Sequence, residues 1–190
     1  RWTMLPDLAF LDLETTGLDP RRHEILEAAV VRVDGRTLEL EELDSVSVRI
    51  EPQYIDLADM EALRVNGFDA STWGGGTLLD AIVQIEPLLE GACLAGHNVA
   101  RFDLPFLLAT YEQLNWAPPT LGKYLLDTVS LCWPLLKRGL VESLSLAALC
   151  DYYGISNEGA HGALADARRA AELARRAISW LPRCRCQWEI

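Results

Sequence analysis

The chain has 190 residues, half of them hydrophobic, and a formal net charge of −11. This length fits one domain with a full hydrophobic core, and the apolar runs are too short to span a membrane. The acidic charge argues against a simple electrostatic nucleic-acid binder but allows an enzyme that approaches phosphates through bound metal ions.

The five cysteines are an odd number at scattered positions and form no zinc-binding pattern. Cys93, Cys132 and Cys150 stand in apolar contexts, where we expect small buried side chains. Cys184 and Cys186 lie near the C-terminus, and a short pair of this kind is only a weak signal of redox or metal chemistry. Together with the lack of an N-terminal signal pattern, this cysteine usage predicts a reducing, cytoplasmic environment.

The first part of the chain predicts three consecutive strands. DLAFLDLE covers 7–14, ILEAAVVRV covers 25–33, and a third strand falls within 38–50. Asp34-Gly35 is a hairpin signal between the second and third strands. Strands joined in this sequential way are expected to pair antiparallel.

The rest of the chain predicts helices and two short strands. A short helix is expected at 57–65, and a helix at 77–89 begins with Thr77 as its N-cap. The remaining predicted elements are strands at 92–96 and 123–127 and helices at 104–115, 129–136, 144–153 and 162–179. Strands first and then mixed strands and helices indicate an α/β or α+β domain with helices packed on a mixed sheet.

Asp12 and Glu14 lie two residues apart at the end of the first predicted strand. Because side chains alternate along a strand, both acids share one face with Leu8 and Phe10. Two carboxylates this close repel each other unless something positive lies between them. An exposed strand end would also accommodate them, so this motif alone leaves cation binding and solvent exposure open.

Two further acids stand at predicted helix starts. Asp103 precedes LPFLLA and by itself is explained as a helix N-terminal residue, favoured by capping and the helix dipole. Asp166 falls in the first turn of the helix at 162–179, at the border of its apolar half. The helical wheel turns Asp166 away from Arg168, Arg175 and Arg176, which favours an acidic site, although a first-turn dipole effect stays open. Most of the arginines of this helix are expected to form a solvated face, and they are Arg168, Arg169, Arg175 and Arg176.

The histidines and one other acid complete the candidates. His161 precedes the last helix, where an imidazole beside an acidic site could accept a proton. Asp127 precedes another predicted helix and is assigned a structural role as its N-cap. His97 and Asn98 are expected to be buried polar groups that fix their own loop, and His23 is expected at the surface.

Taken together, FLDLETTGLDP, HNVARFDLPFL and HGALADA resemble the three motifs of the DEDDh 3′→5′ exonucleases. This family includes ribonuclease T and the epsilon proofreading subunit of bacterial replicative polymerases. The resemblance runs from about residue 7 to residue 178, and the three motifs in this order are very specific. It implies a ribonuclease H-like fold, a mixed five-stranded sheet flanked by helices, in a single exonuclease domain over 1–190.

The resemblance also implies the catalytic residues. By position, Asp12, Glu14, Asp103 and Asp166 match the four metal-binding acids, and His161 matches the general base. The spacing of five residues between that histidine and the final acid marks the histidine subgroup. The implied cofactor is Mg²⁺ or Mn²⁺, with two ions per site about 4 Å apart, held by hard oxygen ligands.

The residues after the first motif match a segment that receives the 3′-terminal nucleotide in related enzymes. They are Thr15, Thr16, Gly17 and Leu18. Gly17 would allow close backbone approach, Thr16 could hydrogen-bond the terminal sugar, and Leu18 could wedge against a base. The opposite wall and its support are assigned to Asn66, Phe68 and Asn98. Phe68 could stack on a base, and loop packing is the alternative for Leu18 and Phe68.

The implied function is hydrolysis of single-stranded nucleic-acid 3′ ends to 5′-mononucleotides, with DNA favoured over RNA. An RNA-trimming exoribonuclease and a non-catalytic exonuclease-like partner module of a polymerase are the alternatives. The intact set of four acids and a histidine argues against the second, because a binding module has no need of it. The protein partner stays open between a polymerase, another replication or repair protein and a second copy of this chain; no membrane is expected.

Overall fold

The computed structural model describes residues 6–157 and 162–180. Five strands form one sheet, and they are β1 (Leu8–Thr15), β2 (Ile25–Val33), β3 (Glu42–Arg49), β4 (Cys93–Gly96) and β5 (Leu125–Asp127). Their order across the sheet is β3-β2-β1-β4-β5. The first three strands pair antiparallel, whereas β4 and β5 run parallel to β1. The expected mixed sheet of five strands and its antiparallel start are therefore confirmed.

The helices follow the predicted pattern, with ends shifted by less than one turn. They are α1 (Met60–Val65), α2 (Leu78–Leu89), α3 (Asp103–Gln113), α4 (Thr128–Lys137), α5 (Leu146–Tyr153) and α6 (Ala163–Ser179). A short 3-10 helix at Ile55–Leu57 precedes α1. Thr77 caps α2 as predicted, because its side chain accepts the Asp80 N–H while the Asp80 side chain accepts the Thr77 N–H.

The central strand β1 is covered on both faces. Ala9, Leu11 and Leu13 belong to one buried cluster, together with residues of α2 and α3. Phe10 belongs to a second buried cluster, which α6 supplies from the other side of the sheet. Because side chains alternate along the strand, Asp12 continues the face of Phe10 and so lies on the side of the sheet that α6 covers.

Helix α6 presents a row of small side chains to the sheet. This row consists of Ala167, Ala170, Ala171 and Ala174, and all four are buried. Small side chains allow the helix backbone to lie close to the strands, so a residue in the first turn of α6 comes near the end of β1. This close approach is what brings Asp166 towards the acids of β1.

The expectation of a solvated arginine face on α6 is wrong for one residue. Arg168 pairs with Glu42 on β3 at 2.8 Å, and its side chain remains half exposed. Arg169, in contrast, is only 8% exposed. A helical wheel predicts the direction of a side chain but not which other part of the chain packs over it. Here the segment after α5, which contains Asn157, packs over Arg169.

The sequence predictions for the cysteines hold where the structure describes them. Cys93, Cys132 and Cys150 are free thiols, and all three are buried. Cys184 and Cys186 lie outside the described residues. None of the helices within 6–157 and 162–180 is long and apolar enough to cross a membrane.

The close packing of α6 generates a test. Ala170 is 1% exposed and shares a buried cluster with Phe10. We expect Ala170→Leu to lower the free energy of unfolding by about 1–3 kcal/mol, because the larger side chain must push α6 away from the sheet. Urea unfolding measures the loss. Ala147→Leu, at an exposed position of α5, is the control and should be close to neutral; equal losses in both variants would contradict this packing.

Candidate active site

Three carboxylates from two distant parts of the chain meet at the end of β1. One oxygen each of Asp12, Glu14 and Asp166 lies within 4.8 Å of the others. Asp12 and Glu14 come from β1, Asp166 comes from the first turn of α6, and all three are partly buried. We call this group the acid cluster. Hard carboxylate oxygens at this spacing are suitable ligands for a small divalent cation.

Asp103 lies beside the acid cluster rather than in it. It is the first residue of α3 and is only 2% exposed. Its Oδ1 accepts a hydrogen bond of 2.9 Å from the backbone N–H of Leu13, the residue between the two acids of β1. A local helix cap therefore does not account for Asp103 by itself, because its carboxylate is tied to β1.

Burial and mutual repulsion make these acids hold protons strongly. Burial raises the pKa of Asp12, and repulsion from the neighbouring acids raises it further. Burial, followed by repulsion from Asp166 and Glu27, raises the pKa of Glu14 to about 7. Burial also raises the pKa of Asp103 to about 8. Such repulsion is relieved when a cation binds among the carboxylates, so the residues present fit a divalent metal.

Asp166 has a cationic neighbour that the helical wheel did not predict. The Arg169 guanidinium forms an ion pair with Asp166 from a position three residues further along α6. The helical wheel set Asp166 against Arg168, Arg175 and Arg176 only, so the pairing with Arg169 was missed. Residues three apart on a helix are neighbours on its surface, so the spacing itself was the signal that could have found this pair.

The two threonines after β1 are engaged within their own loop. The Thr16 hydroxyl is buried and accepts a hydrogen bond of 2.8 Å from the Glu24 N–H. Thr15 is also buried, and its hydroxyl donates to the Gly17 carbonyl at 2.7 Å. In this structure both side chains fix the shape of the loop, and a hydrogen bond from Thr16 to a terminal sugar stays a prediction.

Gly17 and Leu18 differ in what surrounds them. A Cβ on Gly17 would lie 2.6 Å from the His23 ring, so the glycine makes room for this histidine. His23 is half-buried and accepts a hydrogen bond from the Asp19 N–H at 3.0 Å, so it lies at the edge of the surface and is fixed within its loop. Leu18 is 78% exposed at the tip of the loop, where a large apolar side chain is free to contact a ligand.

A cleft of about 270 Å³ opens beside the acid cluster. Six of its lining residues are Glu14, Leu18, Ala62, Val65, Asn66 and Phe102. Asn66 closes one wall, because its side-chain amide donates to the Thr15 carbonyl at 2.8 Å. The sequence pattern did not single out Ala62 and Val65, since two small apolar residues on a six-residue helix give no distinctive signal.

Two residues assigned to the opposite wall and its support, Phe68 and Asn98, are not among the residues that line this cleft. Phe68 packs on the Trp73 ring, with 5.1 Å between the ring centroids, as the loop-packing alternative describes. Asn98 is exposed with φ of 59°, so the expectation that it is buried is wrong. Its backbone N–H donates to Asp127, whose side chain therefore holds this loop in place.

Asp127 and His97 have structural roles, as predicted for Asp127. The Asp127 side chain caps α4 by accepting the Val129 N–H at 2.9 Å. His97 shares a hydrogen bond of 2.8 Å with the Thr128 hydroxyl, and burial lowers the pKa of its ring. His161 lies outside the described residues, so its role as a general base stays a prediction.

The chain is similar to exonucleases and to exonuclease regions of longer proteins. The RNase_T family, described as "Exonuclease", matches residues 9–174. Protein NEN2 of Arabidopsis thaliana is 28% identical over 172 residues, which cover 88% of this chain and 34% of NEN2. A PolC-type DNA polymerase III of Thermotoga maritima is 28% identical over 167 residues, covering 86% of this chain and 11% of the polymerase. The chain thus spans about a third of NEN2 and a smaller share of the polymerase.

Solved structures share the fold. Exonuclease I from Methylocaldum szegediense superposes with a TM-score of 0.77 at 26% identity, covering 94% of this chain and 41% of that protein. E. coli exonuclease I in complex with a dT13 oligonucleotide gives a TM-score of 0.77 at 20% identity, covering 90% of this chain and 40% of the enzyme. The expected ribonuclease H-like fold is confirmed by these matches.

The raised pKa values of the site predict how stability depends on pH. Because Glu14 and Asp103 keep their protons to higher pH when folded, the folded state binds more protons than the unfolded state from about pH 5 to pH 8. We therefore expect the free energy of unfolding of the metal-free protein to fall as pH rises through this window. Mn²⁺ should restore the lost stability at the upper end, because the cation replaces the protons. Urea unfolding in EDTA and in Mn²⁺ measures both effects.

Two isosteric variants serve as the comparison for this pH experiment. Asp103→Asn removes one of the raised carboxyls and should weaken the pH dependence. Asp44→Asn changes an exposed carboxylate of β3 and should keep the wild-type slope. A metal-free stability that stays constant or rises with pH would contradict the electrostatics described here.

Proposed function

The chain belongs to the RNase_T exonuclease family, and from this we propose that it is a divalent-metal-dependent 3′→5′ exonuclease. It acts as a single exonuclease domain that hydrolyses single-stranded ends, DNA in preference to RNA, to 5′-mononucleotides. The observation that carries the proposal is the acid cluster of Asp12, Glu14 and Asp166, in which one oxygen of each residue lies within 4.8 Å of the others. A metal-dependent phosphodiester hydrolase needs such a cluster, whereas a module that only binds nucleic acid does not.

The metal-binding residues follow from the geometry of the carboxylates. Asp12, Glu14 and Asp166 would hold the ions, which we propose to be two Mg²⁺ or Mn²⁺, and Asp103 would support them from its position against β1. Bound divalent ions would activate a water and stabilise the negative charge that develops on the leaving 3′-oxygen. The acids contribute by favouring a cation at this point, because bound positive charge relieves their mutual repulsion and would allow a phosphate to approach.

The proton that leaves the attacking water needs an acceptor. His161 is assigned this role, since it precedes Asp166 by five residues and an imidazole titrates near neutral pH. Carboxylates beside this imidazole would favour the protonated, positively charged form that the transfer produces. The proton thus moves from water to His161 while the water oxygen forms a bond to phosphorus and the 3′-oxygen leaves.

The cleft beside the acid cluster supports binding of an unpaired terminal nucleotide. Leu18 is exposed on one side, and Ala62, Val65 and Phe102 form apolar surface on the other. Apolar surfaces that accept any base face are typical of single-strand binding without sequence preference. The loop after β1 is fixed by Thr15, Thr16, Gly17 and Asn66. We propose that Phe68 and Asn98 contact the nucleic acid only outside the cleft.

The proposed preference for DNA is supported by two similar proteins that act on or bind DNA. E. coli exonuclease I was solved with a dT13 oligonucleotide, and the PolC-type relatives are DNA polymerases. A polymerase or another replication or repair protein is therefore the proposed partner, with a homodimer as the alternative. The three buried free thiols support a reducing environment such as the cytoplasm.

A 5′-labelled oligonucleotide tests the proposal. With Mg²⁺ or Mn²⁺ the label should move down as a ladder of single-nucleotide steps, faster on DNA than on RNA of the same sequence. Asp12→Asn should abolish the ladder, whereas Asp44→Asn on the exposed edge strand should preserve it. Faster shortening of RNA would favour the trimming exoribonuclease. No ladder with either metal, together with stoichiometric binding to a polymerase, would favour the non-catalytic module.

The role of His161 has its own signature. We expect His161→Ala to slow hydrolysis by about 10²–10⁴-fold, the usual contribution of a general base, while the fold and Mn²⁺ binding are retained. Single-turnover rates measure the first effect, and circular dichroism and calorimetric Mn²⁺ titration measure the others. Loss of Mn²⁺ binding in this variant would show that the histidine acts on the metal site instead of on the water.

A further inference from the structure

Arg169 occupies an unusual position next to the acid cluster, where it pairs with Asp166. It is only 8% exposed, and among the residues that the structure describes it is the sole cationic side chain in the buried set. Its Nη2 donates to Oδ1 of Asp166, and its Nη1 donates to Oδ1 of Asn157 at 2.8 Å. The guanidinium therefore joins α6 to the chain that follows α5.

Asn157 is itself held in place. Its side-chain amide donates to Oδ1 of Asp151, on α5, at 2.7 Å. A continuous set of hydrogen bonds thus runs from Asp151 through Asn157 and Arg169 to Asp166. Asp166 is the only member of this set that also belongs to the acid cluster.

Packing alone does not explain an arginine at this position. The Arg169 Nε is buried and has no hydrogen-bond partner among the described residues. A buried N–H without a partner costs free energy, and an apolar side chain of similar size would fill the space without that cost. The benefit of the arginine must therefore come from the two hydrogen bonds that it does make.

We propose that Arg169 is a positioning residue for metal binding: it holds the Asp166 carboxylate, directs it towards Asp12 and Glu14, and so sets the affinity of the acid cluster for a divalent cation. The inference rests on the proposed function, because it concerns the same site. Groups that hydrogen-bond to a metal ligand fix its orientation, and their removal typically weakens metal binding 10–100-fold.

A competing role for the same charge predicts the opposite effect. A cation placed among the three acids would compete with the metal, and its removal would tighten metal binding. The geometry favours positioning, since the described hydrogen bonds of Arg169 reach Asp166 and Asn157 but neither acid of β1. The guanidinium is thus held by hydrogen bonds to Asp166 and Asn157, while its positive charge also acts on the Asp12 carboxylate, and metal titration separates the two effects.

A neighbouring arginine provides a matched control. Arg168 is on the same helix, and its guanidinium pairs with the exposed Glu42 on β3. Arg168→Gln and Arg169→Gln therefore change the net charge equally, but only the second touches the metal site. The Kd for Mn²⁺ is measured by calorimetry and by electron paramagnetic resonance on the folded 190-residue chain at constant pH. We expect Arg169→Gln to raise this Kd about 10–100-fold and Arg168→Gln to leave it unchanged.

Every other result of this titration overturns the inference. An unchanged Kd with a lower melting temperature would make Arg169 a packing residue, and a tighter Kd would make it a competing cation. If Arg169→Gln does not fold, Arg169→Lys and Asn157→Ala decide. Arg169→Lys keeps the positive charge but cannot make both hydrogen bonds, and Asn157→Ala removes the partner of Arg169 Nη1. Both variants should therefore raise the Kd for Mn²⁺, each by a smaller factor than Arg169→Gln. A wild-type Kd in both would overturn the inference.

The same measurements separate this inference from the proposed function. A wild-type chain that binds Mn²⁺ but gives no product ladder would refute the exonuclease, while the Kd of Arg169→Gln would still support or overturn the positioning role. A wild-type chain that does not bind Mn²⁺ would overturn both. A ladder together with equal Mn²⁺ affinities for the Arg168 and Arg169 variants would overturn the positioning role alone.

Discussion

Close packing of α6 on the sheet is the contact on which both the core and the acid cluster depend. The alanines of α6 cover Phe10 of β1, and the acids of β1 follow Phe10 along the same face. The contact that removes Phe10 from water therefore also removes Asp12 from water and brings Asp166 to it. Burial of like charges costs free energy, so the acid cluster lowers the stability of the metal-free fold. The same repulsion favours the binding of a cation among the carboxylates.

Features set by short-range geometry could be predicted from the sequence. The alternation along β1 placed Asp12 and Glu14 on one face, because the strand period holds whatever lies opposite. Capping residues such as Thr77 and Asp127 were identified for the same reason. Asp103 is different, since its contact with Leu13 joins residues 90 positions apart and a helix cap explains it equally well locally. For Asp103 the family resemblance supplied what the residues could not.

Two contacts near the site that the sequence did not predict share a physical cause. A helical wheel gives the direction of Arg169 but not the chain segment that covers it, and a loop motif gives Thr16 a hydroxyl but not its partner. In both cases the polar group is satisfied by a residue from another part of the chain, Asn157 in one and Glu24 in the other. Long-range pairing of this kind has no local sequence signal, so only the folded structure shows it.

Helix α1, which forms one wall of the cleft, makes fewer buried contacts with the rest of the fold than the strand that carries the acids. None of the residues of α1 is buried, and its ends are held to the first loop by the Asn66 amide on Thr15 and the Asp59 N–H on Thr16. The acids of β1, in contrast, sit on the central strand of the sheet. Substitutions on the cleft side of α1 can therefore accumulate at little cost to folding. The surface that would contact a terminal nucleotide can thus change while the acid cluster keeps its geometry.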